Sequence, residues 1–230
     1  MMISVIIPTL NESSTIARTL TRTVALGFDE IVVSDGGSTD STIQMIQACC
    51  ARVPTARLVT APTGRARQMN QGVKACRNDI VLFLHADTEL PPNAKAVIES
   101  TMEDPQIVGG RFDVRFDRPS RWGTVISWFM NRRSRLSGIA TGDQAIFVRR
   151  QVFEQLGGFS DIPLMEDIDF SKRLKRAGRI AALRETVTTS FRRWERQGPL
   201  RTILLMWTLR FLYWIGVSPH RLHNFYETIR

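Results

Sequence analysis

Through its first hundred residues the chain alternates short β-branched runs with stretches of helical periodicity, and few folds accommodate that alternation. ISVII (residues 3–7), EIVVS (30–34), ARLVT (56–60) and IVLFL (80–84) read as buried strands, the first ended by Pro8. Between them, Ile16, Leu20 and Val24 recur every four residues in a helix from about Ser13. Ser38-Thr39-Asp40 offers N-cap residues to a second helix carrying Ile43 and Ile46. Gly64 precedes a third that runs to Cys76, and Pro91-Pro92 opens a fourth. Strand and helix in turn at this spacing build βαβ units and a mainly parallel, twisted sheet flanked by helices.

After Pro105 the pattern changes. RFDVRF (111–116) alternates apolar and charged residues like a half-exposed strand, QAIFV (144–148) is another strand, and helices follow over about 149–156 and 167–177. The end of the chain, 200–230, reads as two helices broken at Ser218-Pro219. Its apolar stretch ILLMWTLRFLYWIGV (203–217) contains Arg210 and is too short and too charged to span a bilayer. Trp207, Phe211 and Trp214 lie on one side of it, among Arg201, Arg210 and Arg221. Three placements stay open: against the main domain, against a second subunit of a homodimer, or in a membrane interface. Core or dimer packing is the leading expectation. We expect one α/β domain over 1–198 and a helical extension over 199–230. Three cysteines without metal-ligand spacing, and a strand beginning almost at once, point to a cytoplasmic protein, or one at the inner face of the cell membrane.

In an open parallel sheet, ligands bind beyond the carboxyl ends of the strands. The chemically capable residues stand there. Thr9, Asn11 and Glu12 follow the first strand, Asp35-Gly36-Gly37-Ser38 the second, and His85-Ala86-Asp87 the fourth. Each alone reads as a cap or turn residue; together they bring carboxylates, an amide and a glycine turn to one edge. Gly64 with Arg65 at a helix start suits an anionic phosphate.

SVIIPTLNE, EIVVSDGGSTDST, FLHADTELP and MEDIDF come in the order and spacing of the motifs of family 2 glycosyltransferases, and from about Ile3 to Gly178 the chain resembles that family. It is also similar to a compact bacterial subgroup associated with arsenosugar biosynthesis. The resemblance implies a GT-A fold with a Rossmann-like nucleotide-binding half, and inverting transfer of a sugar from a UDP- or GDP-linked donor to an acceptor hydroxyl. It implies that Pro8, Thr9 and Glu12 form the first nucleotide-contacting loop, that Asp35 recognises the base with Gly36 beside it, and that Arg65 and Ala86 also serve the nucleotide. The family's second acidic residue after Asp35 is here Gly36. Asp87 matches the last acid of an Asp-x-Asp motif that holds Mn²⁺ or Mg²⁺, while His85 replaces the first and is read as a sugar or ribose contact. One carboxylate suffices where diphosphate oxygens and water complete the shell of a hard cation.

Asp167 takes the part of general base, with Glu166 orienting the acceptor or serving as an alternative base. Gly142, Asp143 and Gln144 match the acceptor-side loop. Arg193, Trp194 and Arg196 match in part a segment that closes over the donor diphosphate in processive relatives; their other reading is a basic helix start with a core tryptophan.

The net charge of +9 favours anionic partners without choosing among them. A nucleic-acid-binding domain would leave Asp35, Asp87 and Asp167 unexplained at sites that repel phosphate, so no nucleic acid is expected. A Rossmann dehydrogenase wants Gly-x-Gly-x-x-Gly where PTLNES stands. An inactive nucleotide-sugar binder is the remaining alternative, separated by metal-dependent turnover.

Overall fold

The computed structural model describes residues 1–229, leaving aside the side chains of Arg193 and of residues 227–229. The first half alternates as expected: β1 (Ile3–Thr9), α1 (Ile16–Ala25), β2 (Glu30–Asp35), α2 (Thr42–Cys50), β3 (Ala56–Thr60), α3 (Arg65–Ala75) and β4 (Ile80–Phe83). Then come β5 (Thr88–Glu89), α4 (Ala94–Met102), β6 (Ile107–Phe116), α5 (Arg121–Ser137), β7 (Phe147–Arg149), α6 (Arg150–Gln155), α7 (Glu166–Ala177) and β8 (Arg179–Thr189). Three helices close the chain: α8 (Arg192–Gln197), α9 (Pro199–Trp214) and α10 (Pro219–Ile229).

The strands form one mixed sheet in the order β3-β2-β1-β4-β7-β6-β8-β5. Its first four strands are parallel, and β7 then runs antiparallel to both β4 and β6. Alternate side chains of β1 enter opposite cores. Ile3, Val5 and Ile7 meet Ile16, Leu20, Ile46 and Ile98, while Ile6 meets Met69, Val73, Phe83 and Phe170 on the other face. A third cluster joins Met165 and Ile168, around the start of α7, to Leu205, Leu209, Leu222 and Tyr226 of α9 and α10.

Pro8 does not end β1: the strand continues to Thr9, with Pro8 beside Ser34. The carbonyl of Ile6 accepts from Leu84 N–H on the β4 side. Pro8 points the same way two residues on, where β4 has already stopped, so its missing N–H costs no ladder bond. The face of β6 expected to meet solvent does so only at its end: Arg115 is exposed, while Asp113 is half-buried and Arg111 is covered. Arg111 is 2 % exposed, and its guanidinium pairs with Asp113 and reaches the Asn131 carbonyl of α5. QAIFV yields only a three-residue strand, because a 3₁₀ turn over Gly142–Gln144 and a left-handed Ala145 precede it.

Candidate active site

The ends of β1 and β2 are tied together by their own side chains. Asp35 accepts from the N–H groups of Gly37 and Ser38 at 2.9 Å, from the Ser38 hydroxyl and from the Thr9 hydroxyl at 3.2 Å. From α3, the Gln68 amide donates to the carbonyls of Thr9 and Ser34. A Cβ on Gly36 would come within 2.9 Å of that amide, so a larger residue there displaces Gln68 from its two bonds. Thr9, Asp35 and Gly36 are buried; they shape the edge, and Asn11, Gly37 and Ser38 stand over them.

Asn11, in the left-handed region at φ 56°, is tied to the loop after β2. Its Oδ1 accepts from Thr39 N–H at 2.9 Å and its N–H donates to Ser38 Oγ at 2.9 Å. Glu12 N–H donates to Thr42 Oγ1, and its carboxylate accepts from Thr15 Oγ1 at 3.0 Å. Burial pushes the Glu12 carboxyl above its ordinary range; a bond from Thr15 opposes the shift and the charge of Asp87 adds to it. Glu12 and Asp87 thus share one electrostatic field. The Asp87 turn is anchored through Ala86, whose carbonyl accepts from Thr19 of α1 at 2.6 Å. Ala86, expected to serve the nucleotide, is 4 % exposed, and through its carbonyl it holds the turn.

Across the sheet edge lies the second half of the site. The His85 Nδ1 is 3.2 Å from Asp143, and its Nε2 is buried without a hydrogen-bond partner against Gly142. A Cβ at Gly142 would sit 2.4 Å from that nitrogen. The smallness of Gly142, expected to admit an acceptor, therefore makes room for His85. Gly142 N–H donates to Asp167 Oδ2 at 2.9 Å and Ile168 N–H to Oδ1 at 2.7 Å. These bonds fix the Asp167 carboxylate and leave each oxygen a lone pair. Gln144 is fully buried, accepting from Thr141 N–H and facing the Phe112 carbonyl, so it supports the loop and does not meet an acceptor.

Glu166 is 4 % exposed, with its carboxyl raised by burial, lowered by Arg65 and raised again by Asp167. The Arg65 guanidinium lies 3.5 Å from it. Its surroundings disfavour its charge, but Glu166, Asp143, Asp167 and Asp87 outweigh them and hold it above its ordinary value. Arg65 is thus a half-exposed cation shared by both halves of the site. Between Arg65, His85, Gly142, Glu166 and Asp167 is a cavity of about 10 Å³, room for one water at most.

Two arginines belong here that the sequence reading did not assign to the site. Arg192 bonds Ser14 Oγ at 3.2 Å and opposes the shift of Glu12. Arg133 of α5 has Nε and Nη2 buried without partners; burial lowers its affinity for the proton, and the charge of Asp167 opposes that. No pattern marked Arg192 apart from its neighbours, and Arg133 sits in a helix that was not foreseen. Trp194 packs edge-on against Phe116, 5.9 Å between rings, and stacks with Phe191, while Arg196 is exposed. Trp194 is half-buried, packed on rings at the edge of the fold. The Arg193 side chain lies outside the described residues.

A metal ion here would rest mainly on Asp87. Among the described residues no three metal-binding side chains converge, and His85 is turned to Asp143 and Gly142. One carboxylate, with Glu12 in its field, fits a hard cation whose shell is mostly diphosphate and water.

A parallel half-sheet with an acidic strand-end turn, extended by a mixed half carrying a second acidic pair, defines a GT-A-type architecture. Solved structures share it. S. aureus TarS in complex with UDP-GlcNAc aligns with a TM-score of 0.68 at 19% identity, over 83% of this chain and 58% of that one. The mannosyltransferase PcManGT from Pyrobaculum calidifontis, in complex with GDP-Man and Mn²⁺, aligns at 0.67 and 22% identity, over 82% and 56%. Residues 4–157 match glycosyl transferase family 2, and the chain belongs to that family. Among curated proteins, the undecaprenyl-phosphate 4-deoxy-4-formamido-L-arabinose transferase of Edwardsiella ictaluri is 31% identical over 144 residues, 58% of this chain and 41% of that protein. Its counterpart in Pseudomonas paraeruginosa is 30% identical over 158 residues, 64% and 46%. The chain spans less than half the length of these relatives.

Proposed function

We propose that this protein transfers a sugar from a nucleoside diphosphate to an acceptor hydroxyl with inversion, and that Asp167 is the general base. The observation that carries the reading is the position of Asp167. It opens α7 at the site edge, with its carboxylate fixed by two backbone N–H groups in the field of Arg65. The nucleotide lies over the Asn11–Glu12 and Gly36–Ser38 turns, its diphosphate shared by Arg65 and by a Mn²⁺ or Mg²⁺ ion on Asp87. PcManGT, with GDP-Man and Mn²⁺, supports a metal by analogy. Membership of the compact subgroup associated with arsenosugar biosynthesis is part of the same proposal and rests on the motifs alone.

The test begins with a panel of UDP- and GDP-sugars scored by calorimetry with Mn²⁺ and with Mg²⁺. Asp167→Asn keeps size and hydrogen bonding but takes no proton. It should lower turnover by about 10²–10⁴, read as nucleoside diphosphate release, with donor affinity nearly unchanged. Near-normal turnover in Asp167→Asn with a dead Glu166→Gln would reverse the two roles; normal turnover in both would overturn the mechanism.

A lipid phosphate is the second reading of the acceptor. The curated relatives are transferases named for undecaprenyl phosphate, and Arg133 is a buried guanidinium lacking partners on two nitrogens beside Asp167. A phosphate oxyanion attacks without a base, so Asp167→Asn would then lose little and Arg133→Gln much.

A further inference from the structure

The exposed large apolar side chains of this protein are concentrated on two helices. Trp122, Val125, Phe129 and Leu136 recur three, four and seven residues apart along α5, with Trp128 beside them. Leu200, Leu204, Trp207, Phe211 and Trp214 recur four, three, four and three apart along α9, and Ile215 extends the row. Four of the five tryptophans stand on these stripes, between 43 and 75 % exposed. The opposite face of α9, Thr202, Leu205 and Leu209, is buried. This helix is apolar on both sides, and packing on the domain uses only one of them.

Charge decides what covers the other. Residues 118–142, around α5, carry five arginines and no Asp or Glu; residues 196–226, around α9, carry four arginines and none either. Arg118 and Arg135 are paired within the protein, while Arg132 lies over the Trp128 ring at 5.8 Å. A second copy meeting this surface through the same face would bring arginine against arginine, with no carboxylate from either helix to separate them. An anionic lipid surface supplies both complements: negative headgroups for arginine, and an interfacial region where tryptophan settles. No described helix is long and apolar enough to cross a membrane.

The two helices are linked through shared packing at their ends. Phe191 and Trp194 pack with Phe116 near the first turn of α5, and Ile139, just past its end, packs on the cluster holding Leu205 and Leu209. That same cluster contains Met165 and Ile168, on either side of Glu166 and Asp167.

We propose that α5 and α9 form a peripheral docking surface for anionic membranes, which seats the catalytic acids close to the lipid. The inference is independent of which acid is the base. It is tested with the full chain and two kinds of vesicle, phosphatidylcholine alone and phosphatidylcholine with phosphatidylglycerol. The protein should sediment with the second and not the first, be released by about 0.5 M salt as the Debye length shrinks, and shift its tryptophan emission to the blue on binding. Trp207→Ser with Trp214→Ser should weaken partition at least about fivefold, while unchanged nucleotide-sugar binding without vesicles shows the variant folded. Absence of sedimentation with either vesicle would overturn the proposal, and a dimer in ultracentrifugation that the double variant dissociates would assign the face to a second copy. Sedimentation without a blue shift would also overturn it, since charge alone would then hold the protein.

Discussion

At the scale of single residues, the site is built from side chains held at some cost to the fold. Glu166 is the clearest. The folded protein keeps its proton to higher pH than the unfolded chain, whose carboxyl titrates near 4.5. As pH rises through that value the folded state binds more protons, so this residue subtracts stability with rising pH. Glu166→Gln should therefore flatten the decline of stability as pH rises above about 4.5, measured by urea unfolding, and cost less turnover than Asp167→Asn. A steeper decline in the variant would show that the contact with Arg65 outweighs burial. Gly142 is constrained by contact: alanine there meets His85 Nε2, and relief must move the loop whose N–H holds Asp167. We expect Gly142→Ala to lose about tenfold to a hundredfold in turnover, with part of the loss recovered in the double variant Gly142→Ala/His85→Ala. Losses that simply add would place the two residues in separate roles.

At the scale of elements, what was legible followed from period and order. The four parallel strands, α1 to α3 and the acidic turns after β1, β2 and β4 were all readable, because burial on both faces writes continuous apolar runs. The short β5 escaped, and so did two longer elements. α5 has the helix signals, a Ser120 N-cap accepting from Gly123 N–H and a left-handed Gly138 after its end, but its aromatic residues face outward and blur the period. β8 mixes Arg184, Glu185 and threonines because it lies near the sheet edge and is only partly buried. The site was legible as residue types and not as contacts: nothing in the chain's order says that His85 fills the space at Gly142, or that Gln144 turns inward. The turn after β4 carries its own prediction. Asp87→Ala removes the carboxylate proposed to hold a cation, and should weaken metal-dependent nucleotide binding by about 1–3 kcal/mol. Calorimetry giving equal affinities for mutant and wild type, with and without Mn²⁺, would remove the metal from the mechanism.

At the scale of the whole molecule, the boundary expected at residue 198 separates segments in sequence that share a core. Leu209 is fully buried in the cluster with Met165 and Ile168, the residues flanking Glu166 and Asp167, and α10 closes over it through Leu222 and Tyr226. The C-terminal helices thus work as the outer wall of the α7 start. Leu209→Ala leaves a void at that wall and should cost about 2–4 kcal/mol of stability. Because the void adjoins the turn that aims Asp167, turnover should fall at temperatures where the variant is still fully folded. Trp214→Ser, on the opposite, exposed face of the same helix, should change neither stability nor vesicle-free turnover by more than a small margin. Urea unfolding and turnover measured side by side separate the two faces. If Leu209→Ala loses stability but keeps full turnover, α9 is a passive cover and the acids are held by the Gly142 loop alone; if Trp214→Ser is the more damaging change, the exposed stripe packs against protein in solution.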